Sequence, residues 1–247
     1  MTYWKPLALA GFIALPGAGW AEKLTFAWTP NPQTPQVDIA IEKGYFEEAG
    51  LDINFVAFRT GREGFEAMLG GQVDVTFMAE FPAAVGALTG QDFGIVGDLS
   101  RFTGSRVIVN TSGGAVAAPA DLAGKRIGTT LGTNVNFYLD SILKEAGIEA
   151  ELVSAAPPDL VPAVARGDVD AIVPFPSFYS AARDTLGDNY GELRIGNYQV
   201  HYILSASPEM INDRPEVLEA FMGALAKADS DVQADPAAAM AAVSASM

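Results

Sequence analysis

The stretch that decides the fold runs from Leu24 to Phe58 and has the sequence LTFAWTPNPQTPQVDIAIEKGYFEEAGLDINFVAF. A short apolar run predicts a strand over Leu24–Trp28, and apolar residues at helical spacing predict a helix over Pro35–Lys43. Gly44 stands where a left-handed helix end belongs. Alternating apolar side chains then predict a second strand over Leu51–Phe58. The chain therefore begins with a strand, a helix and a strand.

The same alternation continues beyond this unit. Further strands are predicted over Val73–Phe77, Phe93–Leu99, Arg126–Thr129, Glu149–Val153, Val169–Val173 and His201–Ser205. Further helices are predicted over Glu63–Leu69, Pro82–Leu88, Thr133–Ala146, Pro158–Arg166, Pro176–Thr185 and Pro215–Ala228. Alternating strands and helices form parallel βαβ units with helices on both sheet faces, so the sequence predicts an α/β fold.

The order of these elements predicts two lobes. A polar stretch of small residues, 110–118, separates two sets of alternating elements. If the chain crosses near Ser105–Val109 and recrosses near Tyr198–Leu204, residues 22–106 and 199–247 form lobe 1, and residues 107–198 form lobe 2. Two crossings make a hinge, and clefts between lobes are common sites for small ligands.

The first 21 residues are typical of a signal peptide. Lys5 supplies a positive start, Leu7–Leu15 is almost wholly apolar, and Gly19 and Ala21 are small residues where signal peptidase cleaves. We expect cleavage before Glu22, and a mature protein free in the periplasm, because there is no cysteine for a lipid anchor. The alternative is the apolar first strand of a cytosolic protein.

Composition excludes several classes of function. The chain has 247 residues, 30 acidic and 15 basic side chains, and a net charge of −15, which disfavours binding to nucleic acid. It contains no cysteine, so thiolate metal sites and cysteine nucleophiles are impossible. His201 is the only histidine, and we expect no metal site and no cofactor.

Several motifs in this order resemble those of periplasmic binding proteins for nitrate, sulfonates, taurine and thiamine-precursor pyrimidines. They are WTPN (28–31), IAIEKGYFEEAGL (39–51), GGQVDV (70–75), DLAGKRIG (121–128), residues 136–147 and RGDVDA (166–171). The resemblance implies a type II, two-lobed receptor that has a mostly parallel sheet in each lobe and a two-strand hinge. It implies a monomer that binds a small solute without turnover and delivers it to an ABC permease in the inner membrane. Members of this family usually continue through further C-terminal helices, so the return segment, 199–247, is expected to be shorter than theirs.

The expected ligand site lies beyond the carboxyl ends of the strands, as in other open α/β sheets. In the loop Thr130–Asn134, Gly132 permits close backbone approach and Thr133 is a plausible N-cap, so its N–H groups suit an oxyanion. The alternative is a helix cap without a ligand. The full set of predicted ligand-binding residues is Trp28, Thr29, Asn31, Gln33, Phe58, Thr60, Gly61, Ala79, Glu80, Gly132, Thr133, Asn134, Phe175, Pro176 and Tyr202.

The charge of the ligand stays open at this point. Glu80 in a cleft would repel an anion and would accept hydrogen bonds from an amino or aminopyrimidine group. Alternatively, Glu80 faces solvent or pairs with Arg59 or Arg101. Arg59 and Arg106 are the predicted counter-charges for an anion, because a guanidinium grips two oxygens at once.

Three functions are compatible with the sequence. The leading one is a solute receptor for import, and a receptor that signals instead of importing is equally compatible with the motifs. The third is an enzyme on the same fold. Pyrimidine synthases resemble this family but use a cysteine-rich motif and a reactive histidine, and the lack of cysteine disfavours that alternative.

Overall fold

The computed structural model describes residues 21–114 and 116–247, which form ten strands and ten α-helices. The strands are β1 (Glu22–Ala27), β2 (Leu51–Val56), β3 (Val75–Ala79), β4 (Gly94–Phe102), β5 (Val107–Asn110), β6 (Arg126–Thr129), β7 (Glu151–Ser154), β8 (Ala171–Val173), β9 (Tyr190–Leu193) and β10 (Val200–Ala206). The α-helices are α1 (Pro35–Glu42), α2 (Tyr45–Glu48), α3 (Gly61–Leu69), α4 (Glu80–Leu88), α5 (Asn134–Ala146), α6 (Pro157–Arg166), α7 (Tyr179–Leu186), α8 (Pro208–Asp213), α9 (Pro215–Ala234) and α10 (Pro236–Ser246). The predicted signal peptide, except for Ala21, lies outside the described residues.

The first sheet has the strand order β2-β1-β3-β10-β4. Strand β1 pairs in parallel with β2 and β3, with Phe26 opposite both Phe55 and Val75. Strand β10 is antiparallel to β3 and to β4, with Tyr202 opposite Ala79. Four strands of this sheet therefore run in one direction, and β10 runs against them.

The second sheet repeats this pattern with the order β7-β6-β8-β5-β9. Strand β6 is parallel to β7 and β8, whereas β5 is antiparallel to β8 and β9. The chain leaves the first sheet from β4 and enters the second at β5 through residues 103–106, and it returns from β9 to β10 through residues 194–199. The predicted α/β class, with two mostly parallel sheets flanked by helices and two connections, is confirmed.

Each sheet is covered on both faces by helices that bury apolar stripes. On the first sheet, α1 and α9 pack on one face around Phe26 and Phe221, while α3 packs on the other face through Phe65. On the second sheet, α5 covers one face through Tyr138, and α6 and α7 cover the other around Leu160. Burial of each such side chain contributes about 1.5–3 kcal/mol, so each sheet has its own core.

Some elements differ from the sequence prediction in their bounds. Strand β3 begins at Val75, two residues later than predicted, and continues to Ala79. Just before its start, the side-chain carboxylate of Asp74 accepts a 2.7 Å hydrogen bond from the N–H of Thr25. Strand β9 was not predicted, since Tyr-Gly-Glu-Leu has no clear strand pattern. Its extended form comes from pairing with β5, which no local sequence pattern shows.

Candidate functional site

A cavity of about 500 Å³ lies between the two sheets. Its walls are the segments that follow β1, β2 and β3 of the first sheet and β6, β7 and β8 of the second, together with part of β10. These are the carboxyl ends of the six strands that pair in parallel with a neighbouring strand. The cavity therefore occupies the position where ligands bind in open α/β sheets.

Thirteen of the fifteen predicted ligand-binding residues line this cavity. They are Trp28, Thr29, Asn31, Gln33, Phe58, Thr60, Gly61, Ala79, Thr133, Asn134, Phe175, Pro176 and Tyr202. The other two, Glu80 and Gly132, lie outside the lining. The structure thus brings most of the predicted residues together, and their contact with a solute stays a prediction.

The carboxylate of Glu80 is used within the protein. It accepts a hydrogen bond from the hydroxyl of Tyr198 and another, 3.0 Å long, from the backbone N–H of His201. Arg59 and Arg101, its predicted alternative partners, pair with other carboxylates of their own segments. Glu80 therefore holds α4 to the connection that returns from the second sheet.

Gly132 provides close approach, but to Arg62 and not to the cavity. Its φ is +73°, and a Cβ atom there would lie 2.5 Å from a guanidinium nitrogen of Arg62. The Nη1 of Arg62 donates a 3.3 Å hydrogen bond to the carbonyl of Leu131. A side chain of the first sheet's α3 thus reaches the loop before α5, and a Cβ at position 132 would displace the end of this flexible side chain.

The first turn of α3 forms one side of the cavity. Thr60 caps this helix, since its hydroxyl oxygen accepts a 3.1 Å hydrogen bond from the N–H of Glu63. The N–H groups of Gly61 and Arg62 have no acceptor among the described residues. A Cβ atom on Gly61 would lie 2.7 Å from the Cβ of Met78, so glycine lets the helix start pack on β3. The turn presents free donors and the positive end of the helix dipole.

The first turn of α5 faces the same cavity from the second sheet. Thr133 precedes the helix, but its hydroxyl donates to the carbonyl of Thr130, at 2.7 Å, and makes no side-chain cap bond. The N–H groups of Asn134 and Val135 have no acceptor within the described chain. Two helix N-termini therefore meet at one cavity from opposite sides, an arrangement that favours an anion.

Two polar side chains in the lining have little exposed surface and no hydrogen-bond partner, and their polar atoms are not among those closed off from solvent. Asn134 is 3% exposed, and its amide makes no hydrogen bond to the described residues. Tyr202 is 6% exposed, and its hydroxyl also lacks a partner there. Burial, followed by the charge of nearby groups, raises the pKa of Tyr202 above its usual range. The hydroxyl therefore stays protonated and can donate to an anionic ligand.

The charged side chains of the lining are both positive. Arg59 and Arg62 contribute to it, and each forms an ion pair with a glutamate four residues later on α3. No aspartate or glutamate side chain is present among the lining residues of the described chain. The cavity therefore suits an anion better than a cation.

The predicted counter-charge Arg106 is committed elsewhere. Its guanidinium bonds Glu192 at 2.9 Å and lies 4.1 Å from the ring centre of Tyr179. Burial alone would raise the pKa of Glu192, but hydrogen bonds from Tyr190 and Arg106 outweigh it and lower that pKa to about 2. Burial raises the pKa of Tyr179 to about 12. These residues form a structural cluster beside β9.

The apolar part of the cavity is rich in aromatic rings. Trp28 donates its Nε1–H to the hydroxyl of Thr34 at 3.1 Å, so its remaining contact surface is apolar. Phe77 stacks on Tyr202 with 5.7 Å between ring centres. Phe58 and the pair Phe175 and Phe178 complete these walls.

Sequence reasoning missed part of the lining. The residues not singled out include Arg62, Phe77, Met78, Pro82, Pro157, Pro158, Ser177, Phe178 and Met247. Pro157 and Pro158 follow the carboxyl end of β7, so the rule that found the other loops applied to them as well. Phe77 and Met78 line the cavity because β3 continues to Ala79, two residues beyond its predicted end.

The described residues contain no group of three or more His, Asp or Glu side chains placed to hold a metal ion. None of their helices combines the length and apolar character that crossing a membrane requires.

A protein-family model described as "NMT1/THI5 like" matches residues 31–239. The chain belongs to the NMT1/THI5-like family. The match includes every strand of both sheets except β1, and every residue that lines the cavity except Ala27 to Pro30 and Met247. Together with the relatives described next, it confirms the family resemblance that the motifs predicted.

Relatives of this NMT1/THI5-like chain include proteins named for binding a solute and one named as an enzyme. The taurine-binding periplasmic protein of Escherichia coli is 25% identical over 238 residues, which cover 93% of this chain and 72% of the relative. A 4-amino-5-hydroxymethyl-2-methylpyrimidine phosphate synthase of Aspergillus parasiticus is 26% identical over 240 residues, covering 88% and 69%. The alkanesulfonate-binding protein SsuA of Xanthomonas axonopodis pv. citri, solved with MOPS bound, has the same fold, with a TM-score of 0.75, 21% identity and coverage of 90% and 78%.

Proposed function

We propose that this protein is the periplasmic solute-binding component of an ABC importer and that it captures a small organic anion of the sulfonate type in the cavity between its sheets. Residues 22–106 and 199–247 act as one lobe, and residues 107–198 act as the other. The solute bridges both lobes and shifts an equilibrium between open and closed forms, of which the permease engages the closed one. We expect a monomer, exported by its N-terminal segment.

One observation carries this proposal: two helix N-termini from different sheets meet at a cavity that also contains the unpartnered amide of Asn134. Free N–H donors from α3 and α5 match the oxygens of a sulfonate. A ligand held by both would favour closure, because each lobe alone supplies only half of the donors. The relative named for taurine binding and the solved sulfonate-binding structure support the same class of ligand.

The experiment is a thermal-shift screen of the purified protein with sulfonates, nitrate, bicarbonate and aminopyrimidines, followed by calorimetry. A ligand at a hundred times its Kd stabilises the folded state by about 2.7 kcal/mol. We expect such a shift with organic sulfonates and no chemical change of the ligand over hours. If no compound of the panel raises the Tm, or if the ligand is turned over, the proposed function is wrong.

A matched pair of variants tests the site itself. Asn134→Leu places an apolar group in the cavity and removes its buried amide, so the Tm shift with a sulfonate should disappear. Asn189→Leu is the control, because Asn189 is exposed, lies in the same half of the chain and is not part of the lining. Equal ligand responses from both variants would contradict a site at Asn134.

The role in import is tested in cells. Deletion of the gene should abolish uptake of the stabilising solute, and expression of the wild-type chain in the same cells should restore it. The Asn134→Leu variant should be exported but fail to restore uptake. Normal uptake after deletion would argue for a receptor that signals instead of importing.

An enzyme is the second candidate, because one relative is named as a pyrimidine phosphate synthase. His201 is the only histidine of the sequence, and the chain has no cysteine. His201 is outside the cavity lining, and its Nδ1 lies 2.9 Å from a carboxylate oxygen of Asp98. A histidine nucleophile directed at the cavity therefore receives no support from this geometry.

A further inference from the structure

We propose that the preferred solute is an aromatic organic anion without an ammonium group, such as an arylsulfonate, and that a zwitterion such as taurine is disfavoured. This inference rests on the proposed function and narrows the class of solute. It follows from three properties of the lining: its charges, its unpartnered donors and its aromatic walls.

The first step concerns the ammonium group. A cation that leaves water for a cavity needs a carboxylate or several acceptors in return. No Asp or Glu side chain lines the described cavity, and the glutamates next to it on α3 already pair with Arg59 at 2.7 Å and Arg62 at 2.8 Å. Glu80 accepts its hydrogen bonds from Tyr198 and the backbone of His201. An ammonium group would therefore find no carboxylate side chain to pair with in the lining.

The second step concerns the anionic group. Asn134 and Tyr202 come from different sheets and have only 3% and 6% of their surface exposed, and they offer an amide N–H and a hydroxyl with no hydrogen-bond partner in the described chain. Neither group is among the side-chain atoms that are closed off from solvent without a partner, so both donors stay accessible to a solute in the cavity. Hydrogen bonds from such donors to a charged acceptor are stronger than those to a neutral one, which favours an oxyanion. The free N–H groups in the first turn of α3 are further donors, and the positive end of this helix dipole favours a negative charge.

The third step concerns the rest of the solute. Trp28, Phe58, Phe77, Phe175 and Phe178 line the cavity, and the indole N–H of Trp28 is already used within the protein. Their faces and edges suit a planar ring, which gains stacking energy of about 0.5–1.5 kcal/mol per pair beyond its burial. A cavity of about 500 Å³ is also larger than a two-carbon chain requires.

Calorimetry with three ligands separates these steps. Propane-1-sulfonate has the length of taurine with a methyl group in place of the ammonium, and benzenesulfonate replaces the chain with a ring. We expect benzenesulfonate to bind about tenfold more tightly than propane-1-sulfonate, and taurine about tenfold more weakly, given the costs of unpaired charge and the gains of ring packing. The wild-type 247-residue chain is used throughout.

A second test adds a negative charge to the cavity at Gln33. This residue lines the cavity, and its side chain makes no hydrogen bond to described residues. Gln33→Glu adds a carboxylate of nearly the same shape. The affinity for taurine relative to propane-1-sulfonate should rise about tenfold, by one charge-assisted contact. Gln91→Glu is the matched control, since Gln91 is exposed and lies outside the lining, and it should leave the ratio unchanged.

Met247 also lies in the lining and is 63% exposed. A variant with two glycines added after Met247 moves the terminal carboxylate of the tested chain away from this position. Discrimination against taurine should be the same as in the wild type. A fall in taurine affinity of more than threefold would show that this carboxylate serves the cavity, and it would overturn the first step.

The outcomes distinguish this inference from the function on which it rests. If taurine binds at least as tightly as propane-1-sulfonate, or benzenesulfonate binds no more tightly than propane-1-sulfonate, the inference is wrong while a sulfonate receptor stands. If none of the three ligands binds, the proposed function fails first. The expected order, together with a response to Gln33→Glu that Gln91→Glu does not share, supports the inference.

Discussion

The hydroxyl of Tyr198 donates a hydrogen bond to the carboxylate of Glu80, across 118 positions of sequence. Glu80 begins α4, next to the end of β3, and Tyr198 lies in the connection between β9 and β10. The same carboxylate accepts from the N–H of His201, at the start of β10. The returning connection is therefore fixed to the first sheet at the point where the chain re-enters it.

The contribution of this bond can be measured by a double-mutant cycle. Tyr198→Phe and Glu80→Gln should each destabilise the protein by about 1–2 kcal/mol, since hydrogen bonds to charged groups are stronger than neutral ones. Burial, with the bond to Glu80 as the next cause, raises the pKa of Tyr198 above its usual range, so the donor stays protonated at neutral pH. Urea unfolding of the four proteins gives the coupling energy. We expect a coupling of about 1 kcal/mol, and additive effects would contradict the bond.

The role of Glu80 shows where sequence reasoning stops. The ends of β1, β2, β6 and β8 follow from local patterns, and the rule that ligands lie beyond strand ends then found most of the lining. The partners of Glu80 could not be found this way, because no local pattern places residue 198 beside residue 80. The same holds for Arg62, which contributes to the lining and contacts Leu131 across the cleft.

The contact between Arg62 and the loop at Gly132 predicts a difference between two glycine variants. Gly132→Ala introduces a Cβ at φ +73° and 2.5 Å from the Arg62 guanidinium. Gly147→Ala introduces one at φ +66° with nothing within 4 Å. Both should lose about 1 kcal/mol of stability from backbone strain. Gly132→Ala should lose about 0.5 kcal/mol more, because the Arg62 guanidinium must turn away from the carbonyl of Leu131. Urea unfolding of the two variants measures this difference.

Arg62→Ala tests whether the contact between Arg62 and position 132 causes the extra loss of stability in Gly132→Ala. Combined with Gly132→Ala it removes the atoms that clash, so the stability lost beyond that of Gly147→Ala should be recovered. Failure of the double variant to recover it would show that strain at position 132, and not the interlobe contact, is responsible.

The packing of the α3 start predicts a loss of ligand binding without a loss of fold. A Cβ on Gly61 would lie 2.7 Å from the Cβ and 2.8 Å from the Cα of Met78, so Gly61→Ala must move the first turn of α3 away from β3. Misplacing its N–H donors should weaken the binding of a sulfonate about tenfold, as measured by calorimetry.

Gly223→Ala is the control for Gly61→Ala. Gly223 lies inside α9, and a Cβ there meets nothing within 4 Å. This change should leave ligand affinity unaltered and stabilise the protein by about 0.5–1 kcal/mol through helix propensity. If the two variants bind a sulfonate equally well, the first turn of α3 does not hold the solute.

Glu192 predicts a pH-dependent contribution to stability. Burial acts to raise its pKa, but hydrogen bonds from Tyr190 and Arg106 prevail and lower it to about 2, from an ordinary value of 4.5. A carboxyl group whose pKa is lower in the folded state stabilises that state fully above about pH 4.5, and the contribution is lost as the pH falls toward 2. Glu192→Gln should therefore cost stability at pH 7, about 2 kcal/mol, because Arg106, only 12% exposed, loses its partner.

Urea unfolding measures the difference in unfolding free energy between wild type and Glu192→Gln. This difference should be constant from pH 7 to about 5. It should become smaller as the pH is lowered from 4.5 toward 2, because the protonated wild-type carboxyl group then resembles the amide. Glu145→Gln is the control, since Glu145 is exposed on α5 and has no ion-pair partner among the described residues; its effect should stay below about 0.5 kcal/mol at every pH. If the difference in unfolding free energy between wild type and Glu192→Gln does not change with pH, the charge of Glu192 does not stabilise the fold. The loss would then come from altered packing around Arg106.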